Sequence, residues 1–371
     1  MDGKVGDEIE RLTGILGNPT GEEELLNESD STLLEALLSQ DPGQLRDRLT
    51  RQTAERLVVT LFTRTPSGGG GGNARHAAVQ WLSESPRLWS GVAAEVTPER
   101  RRTWPLLGVL MESLKASVSS GGRGAAAQLA GLLAGFSRHH ERAAQLEGLR
   151  CIAGGCENLP EDCREMLFDL ALSSLSVNES ELVPASFAAV ASLLPLVDPC
   201  ACGAPAVATL KALTQGLTRT QGVSLRRLYL QGATRLVDGQ LRLSAVRSLK
   251  QLLLAGLEYL RWHDGPLVRD ALRFLLALVR HCWVRIPSHA PGVFFAASLL
   301  VEQSLSEQPL PMEPSTRALL ALLLRGLRAA VGGEEPFSRL LGAVNGQVQE
   351  QIILMMGESS RGNLEVLEEP E

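Results

Sequence analysis

The sequence predicts an all-α fold, a HEAT- or armadillo-like solenoid of degenerate helix pairs, and three observations carry that prediction. Leu and Ala supply most of the apolar content while aromatics make up only 4%, a mix that fills helix–helix seams where β-branched and aromatic residues would favour strands. Apolar residues recur at three- and four-residue steps, the signature of one stripe on a 3.6-residue period, and strand-like alternation nowhere persists. Helical segments of about 12–20 residues, separated by Pro/Gly breaks, pair at a spacing of roughly 40, the period of HEAT and armadillo repeats.

Residues 1–65 read as an acidic N-terminal helical segment, broken by Gly17, Pro19 and Gly21, with helix around Leu33, Leu34, Leu37 and Leu38 and again over 45–62. Residues 66–75 hold proline, serine and five consecutive glycines, Gly68 to Gly72, a flexible loop and a domain boundary. A HEAT-like repeat domain is expected over 76–356. Its helices fall at 74–89, 98–117, 125–136, from Ala143 to Pro160, from Met166 to Leu175, at 187–196 ending at Pro195 and Pro199, and at 207–217. After Pro287 and Pro291 come 293–305, 316–331 and one helix over 337–356. Residues 357–371 are an acidic tail, expected to be disordered.

The stretch 225–286 has the clearest pattern, two amphipathic helices folded back on each other. In the first, Leu241, Val246, Leu249, Leu252, Leu253, Leu257 and Leu260 share a stripe, with Arg242, Arg247 and Lys250 on the wet face. In the second, Val268, Ala271, Leu272, Leu275, Leu278, Val279 and Cys282 do the same. Asp264, Gly265 and Pro266 break the pattern between them: Asp suits a turn and helix start, and proline suits a first helical position, where its missing N–H would be unpaired anyway. The core of the hairpin is expected at Leu249, Leu253, Leu257, Leu275 and Trp283 around that turn. Either helix alone would leave its stripe in water, so such pairs stack on similar pairs.

The 371 residues can hold two ordinary domains or one elongated repeat domain. Residues 1–11 are acidic and lack an apolar core, so no secretory signal is expected. No apolar run approaches the roughly 18 residues a membrane helix needs. These features predict a soluble cytoplasmic protein, with the nucleus as a second compartment open to it, and six cysteines kept as free thiols.

No residue pattern points to an active site, a cofactor or a metal. The glycine run lacks the Lys-Ser/Thr of a phosphate loop, and no strand precedes it. Cys200 and Cys202 form a lone C-x-C without the second close pair that structural zinc wants. His139 and His140 lie on a polar segment, and His263 beside Asp264 has no nucleophile near it in sequence.

The charge is more informative. The net charge is −6, yet residues 219–285 are basic, almost all through arginine. Arg226, Arg227, Arg242, Arg247, Lys250, Arg269 and Arg273 are the candidate partner-docking residues. A solvated helix face, a docking surface for an acidic protein partner and a nucleic-acid surface all fit such a stripe. The acidic total and the lack of interleaved aromatics disfavour nucleic acid.

Within this stretch, Leu225-Arg226-Arg227, then Val246-Arg247-Ser248-Leu249-Lys250-Gln251-Leu252, Leu257-Glu258-Tyr259-Leu260, Asp264-Gly265-Pro266 and Trp283-Val284-Arg285 resemble the Tel-two-interacting protein two family, the smallest subunits of the Triple-T (TTT) complex. A weaker echo lies at Gly148-Leu149-Arg150-Cys151. The strong part covers about a sixth of the chain, and the family usually has proline at the position of Val284. The resemblance implies a HEAT-like solenoid without catalytic activity or cofactor. It would bind the largest TTT subunit (Tti-one) and the Tel-two protein, and act with heat-shock protein ninety to mature phosphatidylinositol 3-kinase-related kinases such as mTOR, ATM, ATR and the DNA-dependent kinase. An unrelated solenoid adaptor for transport or DNA repair, or a nucleic-acid-binding helical repeat, is the alternative expectation.

Overall fold

The computed structural model describes residues 104–116, 123–177, 179–262, 264–306 and 312–358, with isolated positions from Val79 to Arg101. The expectations for 1–65, the glycine loop 66–75, His263 and nearly all of the acidic tail lie outside the described residues. The fold is all-α: thirteen α-helices and no strand occur among the described residues. None of these helices is long and apolar enough to cross a membrane.

The chain divides into two compact units, Met1–Leu170 and Ala171–Glu371. In the first, α1 (Pro105–Ala116), α2 (Arg123–Ser137) and α3 (Arg142–Ala153) pack together. Leu107, Leu110, Leu133, Phe136, Leu149 and Ile152 are fully buried there, and Trp104 meets the Phe136 ring edge-on at 5.9 Å. Helix α4 (Glu161–Leu175) contains the division between the units.

The second unit holds α5 (Leu182–Val197), α6 (Ala204–Arg219), α7 (Val223–Leu236), α8 (Leu249–Tyr259), α9 (Gly265–His281), α10 (Ala290–Leu305), α11 (Pro314–Ala330), α12 (Glu334–Leu341) and α13 (Gly346–Glu358). Two rows of helices run through it. Helices α5, α7, α9, α11 and α13 each touch the next in that series, and α6, α8 and α10 form the second row. Helices α5, α7, α9 and α11 start about 40–50 residues apart, the period expected of HEAT-type pairs. Each helix buries one stripe against its pair and another against the next repeat, so neither row can close alone.

Local sequence sets the helix starts. Pro205, Pro266, Pro291 and Pro314 sit in the first turns of α6, α9, α10 and α11, where a missing N–H removes no intrahelical bond. The Asp264 carboxylate accepts from the Leu267 N–H at 2.8 Å, as an N-cap should. At α6 the cap comes from further back: buried Asp198 accepts from the N–H groups of Cys202, Gly203 and Ala206.

Helix α9 is the hub, packed against α7, α8 and α11. Its Leu272, Phe274, Leu275 and Leu278 are fully buried, each worth about 1.5–3 kcal/mol on removal from water. Helix α7 approaches its neighbours closely through two glycines. A Cβ on Gly232 would come within 2.4 Å of the Phe187 ring, and one on Gly216 of α6 would collide with the Tyr229 ring. Tyr229 itself stands edge-on to Phe187 at 5.6 Å and donates its hydroxyl to the Leu175 carbonyl. Burial pushes its phenol up to about 12.

The backbone departs from the expected helices at three places in this unit. The helix expected to run through Leu241 to Leu260 is broken: Val237–Leu241 winds as a π-turn, Arg242–Ser248 as 3₁₀ helix, and the α-helix begins at Leu249. Leu241, Ala245 and Leu249 are buried throughout, so the stripe continues while the backbone changes pitch. Pro195 does not end its helix but lies in the last turn of α5. The expected helix 337–356 is two, α12 and α13, separated between Gly342 and Asn345.

Candidate partner-docking surface

The arginines expected to form one docking face separate into three groups. The first is paired with carboxylates of the fold itself. Asp270 on α9 is only 2% exposed, and three side chains converge on it. The Arg227 Nε donates to its Oδ2 at 2.8 Å, Gln231 Nε2 donates to the same oxygen at 3.1 Å, and Arg273 Nη1 lies 3.6 Å from Oδ1. Arg227 and Gln231 belong to α7, so the pair fastens the α7–α9 seam. Arg269 extends the same arrangement toward α11, donating to Glu313 at 2.6 Å and to Ser315 at 3.3 Å.

Arg226 forms the second group. Its guanidinium lies 4.2 Å from the Trp262 ring centre and 5.3 Å from that of Tyr259, and its Nε donates to the Thr220 carbonyl at 3.0 Å. Stacked on two rings and bonded to backbone, it clips α7 to the end of α8. Tyr259 donates its hydroxyl to the Leu217 carbonyl; burial pushes its phenol up to about 12, with the Arg226 charge opposing the shift.

The third group faces solvent. Arg242, Arg247 and Lys250 are exposed. Arg242 adopts φ 40°, a left-handed value that marks the passage from π-turn to 3₁₀ helix. Arg247 donates through one Nη to the Cys202 carbonyl at 2.7 Å, which fixes the direction of its guanidinium. Arg247 and Lys250 line a pocket of about 440 Å³ with Ser248, Gln251, Arg285, Ser288 and His289.

Sequence reasoning missed Arg285 and His289 as partners of this pair. They sit on the 3₁₀ turn Ile286–Ser288 and its flanks, which buried Ile286 pins down. The four-residue step from Arg285 to His289 was the one available signal, and the prolines around it masked its helical meaning.

Of the expected core, Leu249, Leu253 and Leu275 are buried and Leu257 is half-buried; Asp264, Gly265 and Pro266 make the turn and first helical residues. Trp283 is a correction. It was expected in the core and is 61% exposed, with Val284 beside it at 54%. Helix α9 ends at His281 and Cys282 caps it, so the stripe stops at buried Cys282 and the next two residues turn outward. An exposed Trp-Val pair next to Arg285 is an apolar anchor bordered by positive charge, the composition enriched in protein interfaces.

All six cysteines are free. Burial pushes the Cys151 thiol up to about 12 and that of Cys282 up to about 11, which suppresses the thiolate and its nucleophilicity. Among the described residues no three His, Cys, Asp or Glu side chains gather as metal ligands would. His139 accepts from the Glu141 N–H through Nδ1 and stands 3.8 Å from Glu99 through Nε2, contacts that orient a loop.

No protein-family model matches the chain, and no curated protein matches it. Two similar solved structures are crystal structures of engineered proteins. One is 15% identical over 96% of this chain and 100% of that chain, with a TM-score of 0.38. The other is 15% identical over 75% of this chain and 97% of that one, with a TM-score of 0.41. Likenesses this distant carry no argument about the present chain.

Proposed function

We propose that this chain is a non-catalytic scaffold subunit of the TTT co-chaperone complex, held in the cytoplasm by the largest subunit (Tti-one) and the Tel-two protein. Through that assembly and heat-shock protein ninety it supports the maturation and stability of phosphatidylinositol 3-kinase-related kinases. The name of the assembly rests on the sequence resemblance from Leu225 to Arg285. The docking role rests on one observation within the same residues: Trp283 and Val284 stand exposed beside Arg285, on a two-row helical scaffold.

The exposed part of the Trp283 ring contributes nothing to folding, whereas in an interface it supplies a large rigid contact at low entropic cost. Arg226, Arg227 and Arg269 hold helices through their bonds, while Arg247, Lys250 and Arg285, which have no ion pair among the described residues, stay available to anionic groups of a partner.

Co-expression with tagged Tti-one and Tel-two tests the reading. The chain is expected to co-purify stoichiometrically, and Trp283→Asp with Val284→Asp should lower its recovery on the order of tenfold while its circular dichroism stays unchanged. Absence of the wild-type chain from the purified complex would refute the assembly, and full recovery of the double variant would refute the anchor.

A further inference from the structure

The pocket between the 3₁₀ segment Arg242–Ser248, the start of α8 and the turn Ile286–Ser288 presents three permanent cations, Arg247, Lys250 and Arg285, together with His289. No carboxylate is among its lining residues. None of the four side chains has an ion-pair partner among the described residues, although the chain has 42 acidic residues against 36 basic ones. Several other cationic groups of this unit, Arg227, Arg269, Arg273 and Arg280 among them, do meet an aspartate or glutamate. Like charges gathered without a counter-ion repel one another, so a concave cluster of this kind is incomplete until an anion enters it.

We propose that this pocket binds a phosphoryl group, carried either as a phosphate monoester or at the end of a polyphosphate. A single carboxylate would neutralise one of three permanent charges. A phosphate monoester carries about −1.5 to −2 at pH 7 and three acceptor oxygens, enough to meet several donors at once. Arg247 is already oriented by its bond to the Cys202 carbonyl, leaving the other guanidinium edge to donate in the two-pronged geometry that phosphate accepts. Arg285 stands across the pocket and Lys250 supplies a mobile point charge. The volume of about 440 Å³ exceeds what a phosphate group alone fills, so the pocket has room for the group that carries it. The exposed Trp283-Val284 shelf begins at the residue before Arg285 and suits the flank of a phosphorylated polypeptide; a free polyphosphate would use the cations alone. The inference needs only the pocket and holds or fails independently of the TTT assignment.

Isothermal titration of the full chain at low ionic strength provides the test, with three probes: inorganic pyrophosphate, an alanyl-phosphoseryl-alanine peptide and an alanyl-glutamyl-alanine peptide. Saturable binding of pyrophosphate or the phosphopeptide is expected, with the glutamyl peptide at least tenfold weaker, roughly the effect of the lost charge and acceptors. Tighter binding of the phosphopeptide than of pyrophosphate would identify a polypeptide source, and the reverse order a free polyphosphate. The double variant Lys250→Gln/Arg285→Gln, at exposed positions, should weaken binding by about tenfold or more with unchanged circular dichroism. Absence of saturable binding by either phosphate probe, equal binding of the glutamyl peptide, or an unchanged affinity in the double variant would overturn the proposal.

Discussion

Arg227→Glu is expected to destabilise the second unit by about 3–4 kcal/mol, the range for breaking a buried ion pair, and reversing charge adds repulsion to the loss. Asp270 is the reason. Its carboxylate is almost wholly enclosed, and Arg227 with Gln231 satisfies its Oδ2. Arg227 is 34% exposed, so it can find water when its partner is gone, but Asp270 cannot. Sequence alone places Arg227 with Arg226 and Arg247 on one wet face, where joint charge reversal would weaken docking without unfolding. The structure corrects that expectation. Arg247→Glu should change the unfolding free energy by no more than about 0.5 kcal/mol, as surface changes do, whereas Arg227→Glu should lower it far more. The paired replacement Arg227→Met/Asp270→Leu should recover most of the loss, because two matched apolar groups need no partner. Urea denaturation of the four proteins decides the matter; equal midpoints for Arg227→Glu and wild type would show that the pair does not fasten α7 to α9.

Leu253→Asp should be as damaging, while Leu254→Asp one residue on should be silent. Leu253 is 3% exposed in the α8 seam and Leu254 is 59% exposed. An aspartate at 253 loses the transfer energy of leucine, opens a cavity and places an unpaired carboxylate among leucines, together about 4 kcal/mol or more. That is a large share of the 5–15 kcal/mol that typically separates folded from unfolded domains. Thermal melts should show Leu253→Asp unfolded or strongly lowered and Leu254→Asp unchanged. Similar melting of both would mean that α8 does not present its stripe to α9 as described.

Part of this fold was legible in the sequence because its causes are local. The stripe of α9, its Asp264 cap and Pro266 in its first turn follow from 3.6-residue spacing and from which side chains can satisfy the first amides. The buried set Leu249, Leu253 and Leu275 follows from the same spacing. What escaped was non-local or insensitive to period. The π-turn and 3₁₀ segment over Val237–Ser248 keep Leu241, Ala245 and Leu249 buried at four-residue steps, so apolar spacing gives no sign that the backbone changes pitch. Trp283, expected in the hairpin core, lies past the end of the helix at His281 and is exposed. The fate of the arginines depended on pairs far apart in the chain: Arg227 with Asp270 across 43 residues, Arg269 with Glu313 across 44, and Arg247 with the Cys202 carbonyl across 45. These separations are one repeat long, so the stacking that forms the rows also decides which charges are neutralised.

Hydrogen–deuterium exchange, comparing the free chain with the chain co-purified with Tti-one and Tel-two, measures most directly whether the surface around Trp283 is where this scaffold is held. Slower exchange in the bound state is expected across residues 282–289 and along the 3₁₀ segment Arg242–Ser248, with α12 unchanged. Exchange in those two stretches that stays the same on binding, with protection confined to other helices, would contradict the account.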